Sequence, residues 1–299
     1  MDDKLVTKAV CRQWGIPVPR TYATVSTHGE IRRIEALIGD YHDFVIKPAR
    51  GSEGRGIKVI AGRRGEVLLD PVGEHVTLAD LRYHLAAILA GLYSLSGQPD
   101  RAIIEQRIEP HPLFASLAVG GTPDIRVVVY RGVPAMAMVR IPTGHSGGRA
   151  NLHQGAVGVG IDLESGETSG GVWLGRIVTR HPDTGRPLAG LRIPHWANLL
   201  EAAAALADRL CMAYLGVDFM VDGQHGPLVL EVNARPGLAI QLANRTGLLE
   251  RLEAIDRGWR LPVGSPPAAP APPRHPEAVV PASRGPLRDW ADEQGQRVS

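Results

Sequence analysis

A chain of 299 residues, 44% hydrophobic and 21% charged, is long enough for one large or two ordinary domains with sizeable cores. Its 33 basic and 31 acidic residues leave a net charge of +2, so composition gives neither nucleic acid nor a membrane surface an electrostatic footing. The two cysteines, Cys11 and Cys211, lie far apart, which argues against a disulfide framework or a cysteine zinc site and fits a reducing compartment. The opening MDDKLVTKAV lacks the basic and apolar regions of a signal peptide. No apolar run approaches the ~20 residues that span a bilayer, so a cytoplasmic location without membrane insertion is expected.

In chain order, KLVTKAVCRQW (4–14) has apolar residues at helical spacing, stops at Gly15 and runs into IPVP, which cannot continue a helix. EIRRIEALIG (30–39) is a second short helix. DFVIKPA (43–49) and IKVIAG (57–62) are strands joined by a glycine-rich loop. TLADLRYHLAAILAGLY (77–93) carries a helical stripe of Leu78, Leu81, Leu85, Ile88 and Leu92. RAIIEQRI (101–108) is a strand, and DIRVVVYRGVPAMAMVRI (124–141) a hairpin turning at Arg131-Gly132. HWANLLEAAAALADRLCMAYLG (195–216) is a long helix closed by Gly216, followed by the strands VDFMVD (217–222) and PLVLEVN (227–233). Strands and helices mixed with hairpins, without a strict βαβ rhythm, predict an α+β protein with antiparallel sheets. Residues 261–299 hold nine of the 24 prolines and few large apolar side chains, which predicts a disordered tail after an ordered body over 1–260.

Four features break these patterns. If Asp222 pairs with Pro227, Asp218 faces Glu231 and shares a sheet face with Asn233. Two opposed carboxylates among apolar neighbours need a positive charge, and with a carboxamide oxygen they form a hard-oxygen set suited to Mg²⁺. A solvated edge-strand face is the alternative. Gly51, Ser52, Gly54 and Gly56 could turn main-chain N–H groups and a hydroxyl toward phosphate, although neither the Walker A nor the Rossmann pattern is present. Lys47 lies inside the apolar strand before that loop and must find an anion or lose its charge. Arg126 and Arg140 interrupt apolar strands, and Arg235 follows the acidic one. Their forked donors fit phosphate, while an ion pair with Asp124 or Glu105 is the alternative. Asn151 and His153 sit in the glycine-rich GGRANLHQGAVGVGID. No HExxH or GxSxG spacing occurs, which disfavours a zinc or serine hydrolase.

Taken in order, MDDKLVTKAVCRQWGIPVP, FVIKPARGSEGRGI, DIRVVVY…VRI…NLHQGAVGVGID and GVDFM…LVLEVNARPG resemble the ATP-grasp superfamily over about residues 1–252. The nearest branch is the alpha-L-glutamate ligase-like, or sugar-transpeptidase-associated, one. The resemblance implies two α+β subdomains, about 20–110 and 111–260, whose antiparallel sheets enclose ATP. It implies Lys4 and Lys47 at the phosphates, the loop Gly51, Ser52, Gly54 and Gly56 over them, and Glu105 with the main chain of Arg107 and Ile108 at adenine. Glu109 would reach the ribose. Asp218, Glu231 and Asn233 would hold Mg²⁺, with Mn²⁺ as a substitute. Arg126, Arg140 and Arg235, with Asn151 near them, would bind the transferred phosphate.

The implied reaction is carboxylate–amine ligation through an acyl-phosphate, joining glutamate or another amino acid to a peptide or small acid. A small-molecule kinase and a non-catalytic ATP-binding module stay open as alternatives. Family members usually carry an α/β domain ahead of the DK helix, whereas this chain begins on it. That domain is then absent, encoded upstream, or replaced by a partner chain, and a homo-oligomer is one way to replace it.

Overall fold

The computed structural model describes residues 3–51, 54–94 and 97–261. The tail predicted to be disordered lies, from residue 262 on, outside the described residues, as does Ser52. The first half runs α1 (Lys4–Gln13), β1 (Thr21–Val25), α2 (His28–Ile31), α3 (Ile34–Ile38), β2 (Phe44–Pro48), β3 (Lys58–Ile60), β4 (Gly62–Arg64), β5 (Val67–Leu69), β6 (His75–Val76), α4 (Leu78–Leu89) and β7 (Ala102–Glu105). It forms an antiparallel sheet in the order β1-β7-β2-β3 and a small three-stranded sheet, β4-β5-β6. Alternation along β2 sends Phe44 and Ile46 into a core with Ile104, Leu81, Leu85 and Ile88, and turns Val45 and Lys47 to the opposite face. Helix α4 starts where Thr77 and Asp80 cap each other reciprocally. The helix expected over 30–39 is instead the two short pieces α2 and α3.

The second half continues α5 (Pro112–Ala115), β8 (Asp124–Tyr130), β9 (Val133–Ile141), β10 (Val157–Ile161), β11 (Thr168–Trp173), β12 (Arg176–Val178), α6 (Trp196–Arg209), β13 (Tyr214–Asp222), β14 (Gly226–Asn233), α7 (Ile240–Asn244) and α8 (Leu248–Asp256). Its seven strands run β12-β11-β10-β9-β8-β13-β14, all antiparallel. One face packs Val127, Val139, Val217 and Phe219 against Leu199, Ala203 and Leu206 of α6. The other carries Val128, Met136 and Met138 under α7 and α8.

Two local readings are corrected. Helix α6 ends at Arg209, and Cys211 turns the chain at φ 51°. Gly216 is a strand residue rather than a helix stop: a Cβ there would fall 2.7 Å from Pro236 Cβ. In the last hairpin Asp222 pairs with Gly226, not Pro227, yet Asp218 still faces Glu231. A bulge between Asp218 and Phe219 restores the register, with Leu230 as the extra residue. The β8–β9 turn falls at Arg131-Gly132, with φ of 48° and 75°, as a two-residue primed turn requires. Among the described residues no helix is long and apolar enough to cross a membrane.

Candidate active site

On the small sheet, Lys47 and Glu105 share the face that points away from the core. Lys47 Nζ lies 2.5 Å from Glu105 Oε1, and Lys8 Nζ, from α1, lies 2.7 Å from Oε2. All three side chains are buried, Lys8 at 1%, Glu105 at 3% and Lys47 at 5% exposure. Lys8 also donates to Pro19 O at 2.5 Å. Burial pulls the Lys8 ammonium down to about 8 against the attraction of Glu105, and Lys47 lowers it further. Burial raises the Glu105 carboxyl, but the two ammoniums more than offset this and hold it below its ordinary value. The trio carries one uncancelled positive charge in a buried place, and an anion is what such a place lacks.

On the large sheet, cross-strand pairing sets Glu231, Asp218 and Arg126 in one row, with Asp124 opposite Arg140 beside it. Arg126 donates to both Asp218 oxygens at 2.7 and 2.6 Å. Arg140 forks onto Asp124 at 2.5 and 2.6 Å and reaches Asp218 Oδ2 at 2.9 Å. Asn233 Nδ2 donates to the same oxygen at 3.2 Å. Two guanidiniums thus answer the Asp218 charge and Lys4 that of Glu231; Arg140 has the Asp124 partner of the ion-pair alternative, while Arg126 pairs with Asp218 instead of Asp124 or Glu105. Burial raises the Asp218 carboxyl, yet Arg126 and Arg140 outweigh it and hold the group well below the usual range. Burial pushes Asp124 up to about 6 against the pull of Arg140, with Asp218 adding to the rise. Nη1 of Arg126 and of Arg140 has no partner among the described residues, so each keeps one donor end open.

Lys4 joins the two sheets. Asp3 caps α1 by accepting from Leu5 N–H, and Lys4 N–H donates to Ala49 O. From there Lys4 Nζ donates to Gly51 O at 2.6 Å and lies 3.1 Å from Glu231 Oε2. Gly54 and Gly56 turn the loop at φ 71° and 73°, and a Cβ on Gly56 would strike the Tyr93 ring at 2.6 Å. After β7, Gln106 N–H donates to Arg20 O, Glu109 N–H to Asp222 Oδ2 and Gly223 N–H to Glu109 O. The main-chain groups of Arg107 and Ile108 between them have no hydrogen-bond partner among the described residues.

Arg235 is exposed, with no ion pair among the described residues. Asn151 Oδ1 accepts from His153 N–H at 2.9 Å and caps a 3₁₀ turn over Leu152–Gln154. His153 is exposed. Cys11 is buried, and burial pushes its thiol up to about 11, far from thiolate chemistry at neutral pH. Sequence alone does not mark Lys8 as a site residue, because at its position in an amphipathic helix a lysine resembles an ordinary polar-face residue.

The donor set Asp218, Glu231 and Asn233 fits Mg²⁺ in kind. Glu231 is 29% exposed and Lys4 is its one ion-pair partner among the described residues, so a cation can reach it. Asp218 Oδ2 accepts three hydrogen bonds and Oδ1 only one, from Arg126 Nε, so Oδ1 keeps a lone pair for a cation.

Two antiparallel sheets with a buried lysine–glutamate pair on one, an acidic strand on the other and a glycine-rich loop between them define an ATP-grasp fold. A model of the sugar-transfer associated ATP-grasp family matches residues 1–257, and the chain belongs to that family. Among solved structures, biotin carboxylase from Campylobacter jejuni aligns over 88% of this chain and 47% of its own, at 16% identity and a TM-score of 0.53. The D-cycloserine synthetase DcsG aligns over 85% of this chain and 69% of its own, at 16% and 0.47. The ATP-grasp ligase PsnB, solved with a minimal precursor, aligns over 85% of this chain and 60% of its own, at 18% and 0.43. Identities this low speak to fold alone. No curated protein matches the chain.

Proposed function

We propose that the protein is an ATP- and Mg²⁺-dependent carboxylate–amine ligase working through an acyl-phosphate, with glutamate or another amino acid as one of the two partners joined. The observation that carries the reading is Lys4: one ammonium touches both the glycine-rich loop at Gly51 and the strand carboxylate Glu231. The elements suited to phosphate and to a cation therefore meet at a single point.

In this reading the open main-chain groups of Arg107 and Ile108 take the adenine edge, and Val45 and Ile103 form its apolar wall on the face shared with Lys47. The buried trio's surplus charge, with Lys4, attracts the phosphates. Glu231, Asn233 and Asp218 would hold Mg²⁺, which when bound neutralises phosphate charge and polarises the terminal phosphorus. A substrate carboxylate oxygen bonds to that phosphorus as its bond to the ADP oxygen breaks. An amine nitrogen then bonds to the acyl carbon and loses a proton, and phosphate leaves with the C–O electron pair. This chain's contribution is positioning and charge. Asp124 and Asp218 hold Arg126 and Arg140 in fixed orientations, so their open Nη1 groups meet an arriving phosphate already ordered.

The test is ADP release from MgATP with pooled amino acids, peptides and amino sugars, followed by mass spectrometry. ADP release that requires both a carboxylate and an amine, with an amide product, is expected. A phosphorylated product without any amine requirement would indicate a kinase. Nucleotide binding without ADP release across the pools would indicate a non-catalytic module. Either result overturns the ligase reading.

A further inference from the structure

Asp124 and Asp218 cancel the charge of Arg126 and Arg140, so that quartet can offer a phosphate hydrogen bonds but no net charge. The segment after β9 supplies a guanidinium of a different kind. Thr143 and Ser146, at 0% and 2% exposure, bond reciprocally: Thr143 N–H donates to Ser146 Oγ at 3.0 Å and Ser146 N–H to Thr143 Oγ1 at 3.1 Å. Thr143 Oγ1 donates onward to Gly155 O at 2.8 Å, which ties the two ends of the segment together. Gly148 turns at φ 79° and packs flat on the neighbouring loop, where a Cβ would sit 2.2 Å from Gly120 O. This rigid arm ends at Arg149, whose N–H donates to Ser146 O at 3.2 Å. Its side chain lies along Gly54, where a Cβ would be 3.7 Å from Arg149 Cγ and Cδ. An arginine rooted beside the large sheet thus reaches the loop that Lys4 touches at Gly51. Its guanidinium has no ion pair or side-chain hydrogen bond among the described residues.

We propose that Arg149 is a further phosphate-binding residue, taking the terminal phosphate of a nucleoside triphosphate from the large-sheet side while Lys4 and Lys47 take it from the other. The inference rests on the ATP-dependent reading of the site. A fixed arm sets where the side chain begins, the planar fork suits phosphate oxygens, and among the described residues no carboxylate pairs with it.

The experiment titrates wild type, Arg149→Ala and Arg149→Lys with the β,γ-imido analogue of ATP and with ADP, each with Mg²⁺. Arg257→Ala, which removes an exposed arginine after α8, controls for overall charge. Loss of one charge-assisted contact predicts analogue binding roughly ten- to a hundred-fold weaker in Arg149→Ala, with ADP changed less than about threefold. Arg149→Lys should lie between, and the control should match wild type. Equal loss for both nucleotides, or no loss for either, overturns the role of Arg149 while leaving the ligase reading standing. A wild type that binds neither nucleotide overturns both.

Discussion

Replacing Glu105 by Gln tests the buried trio at its centre. The variant keeps shape but leaves the Lys8 and Lys47 ammoniums, 2.7 and 2.5 Å from the carboxylate, without a counter-charge. Breaking a buried pair in this way costs about 3–5 kcal/mol. The two lysines do not share that cost equally. Lys8 already sits at about 8, so at pH 7 it escapes by shedding its proton for a further ~1.4 kcal/mol at most. The larger part therefore falls on Lys47. Urea unfolding at pH 7 should show a loss of about 3–5 kcal/mol in Glu105→Gln. Adding Lys8→Met should recover no more than ~1.4 kcal/mol of it. A loss under ~1 kcal/mol, or full recovery from Lys8→Met, would refute the reasoning, because the trio would then behave as a solvated pair.

Three further outcomes are expected. Asp218, held low by Arg126 and Arg140 against burial, contributes stability that is present above the unfolded value of about 3.9 and lost as pH falls below it. Urea midpoints followed from pH 5 to pH 3 should fall less steeply in Asp218→Asn, which at pH 7 should itself be less stable by about 3–5 kcal/mol. Gly216→Ala should cost about 1–3 kcal/mol by thermal unfolding, since its Cβ would meet Pro236 Cβ at 2.7 Å. Lys4→Met should weaken MgATP binding by roughly tenfold or more in calorimetry while circular dichroism stays unchanged, since the side chain's polar contacts among the described residues are with Gly51 and Glu231.

How far the site could be read in the sequence differs from residue to residue. Lys47 stood out because a lysine in an apolar strand must have an anionic partner, and Glu105 proved to be one. The facing of Asp218 and Glu231 followed from alternation, but the bulge at Leu230 did not, because a single inserted residue leaves no mark on a period-two pattern. The expected Asp222–Pro227 pairing was therefore off by one while the acidic pair was still opposed. Arg126 and Arg140 stand out in the sequence as guanidiniums in apolar strands, yet spacing alone does not name their carboxylate partners, Asp218 and Asp124, since those are set by strands paired in space. In the sequence, strand β10 shows only as a glycine-rich stretch. Its glycines answer to α7 and Leu152: a Cβ on Gly158 would lie 2.6 Å from Leu152 Cδ2, and one on Gly160 2.8 Å from Ala243 O. Arg149 carried no signal of its own, because its approach to Gly54 depends on an arm fixed by contacts with a distant loop.

In the ligase reading the strand pair β13–β14 binds a divalent cation together with ATP. The direct measurement is electron paramagnetic resonance of Mn²⁺, standing in for Mg²⁺, titrated with protein, ATP and both. The free Mn²⁺–ATP signal should change on adding wild type and stay as it is on adding Glu231→Gln/Asn233→Ala. A wild type that leaves the signal untouched, or a double variant that alters it as wild type does, would contradict the claim.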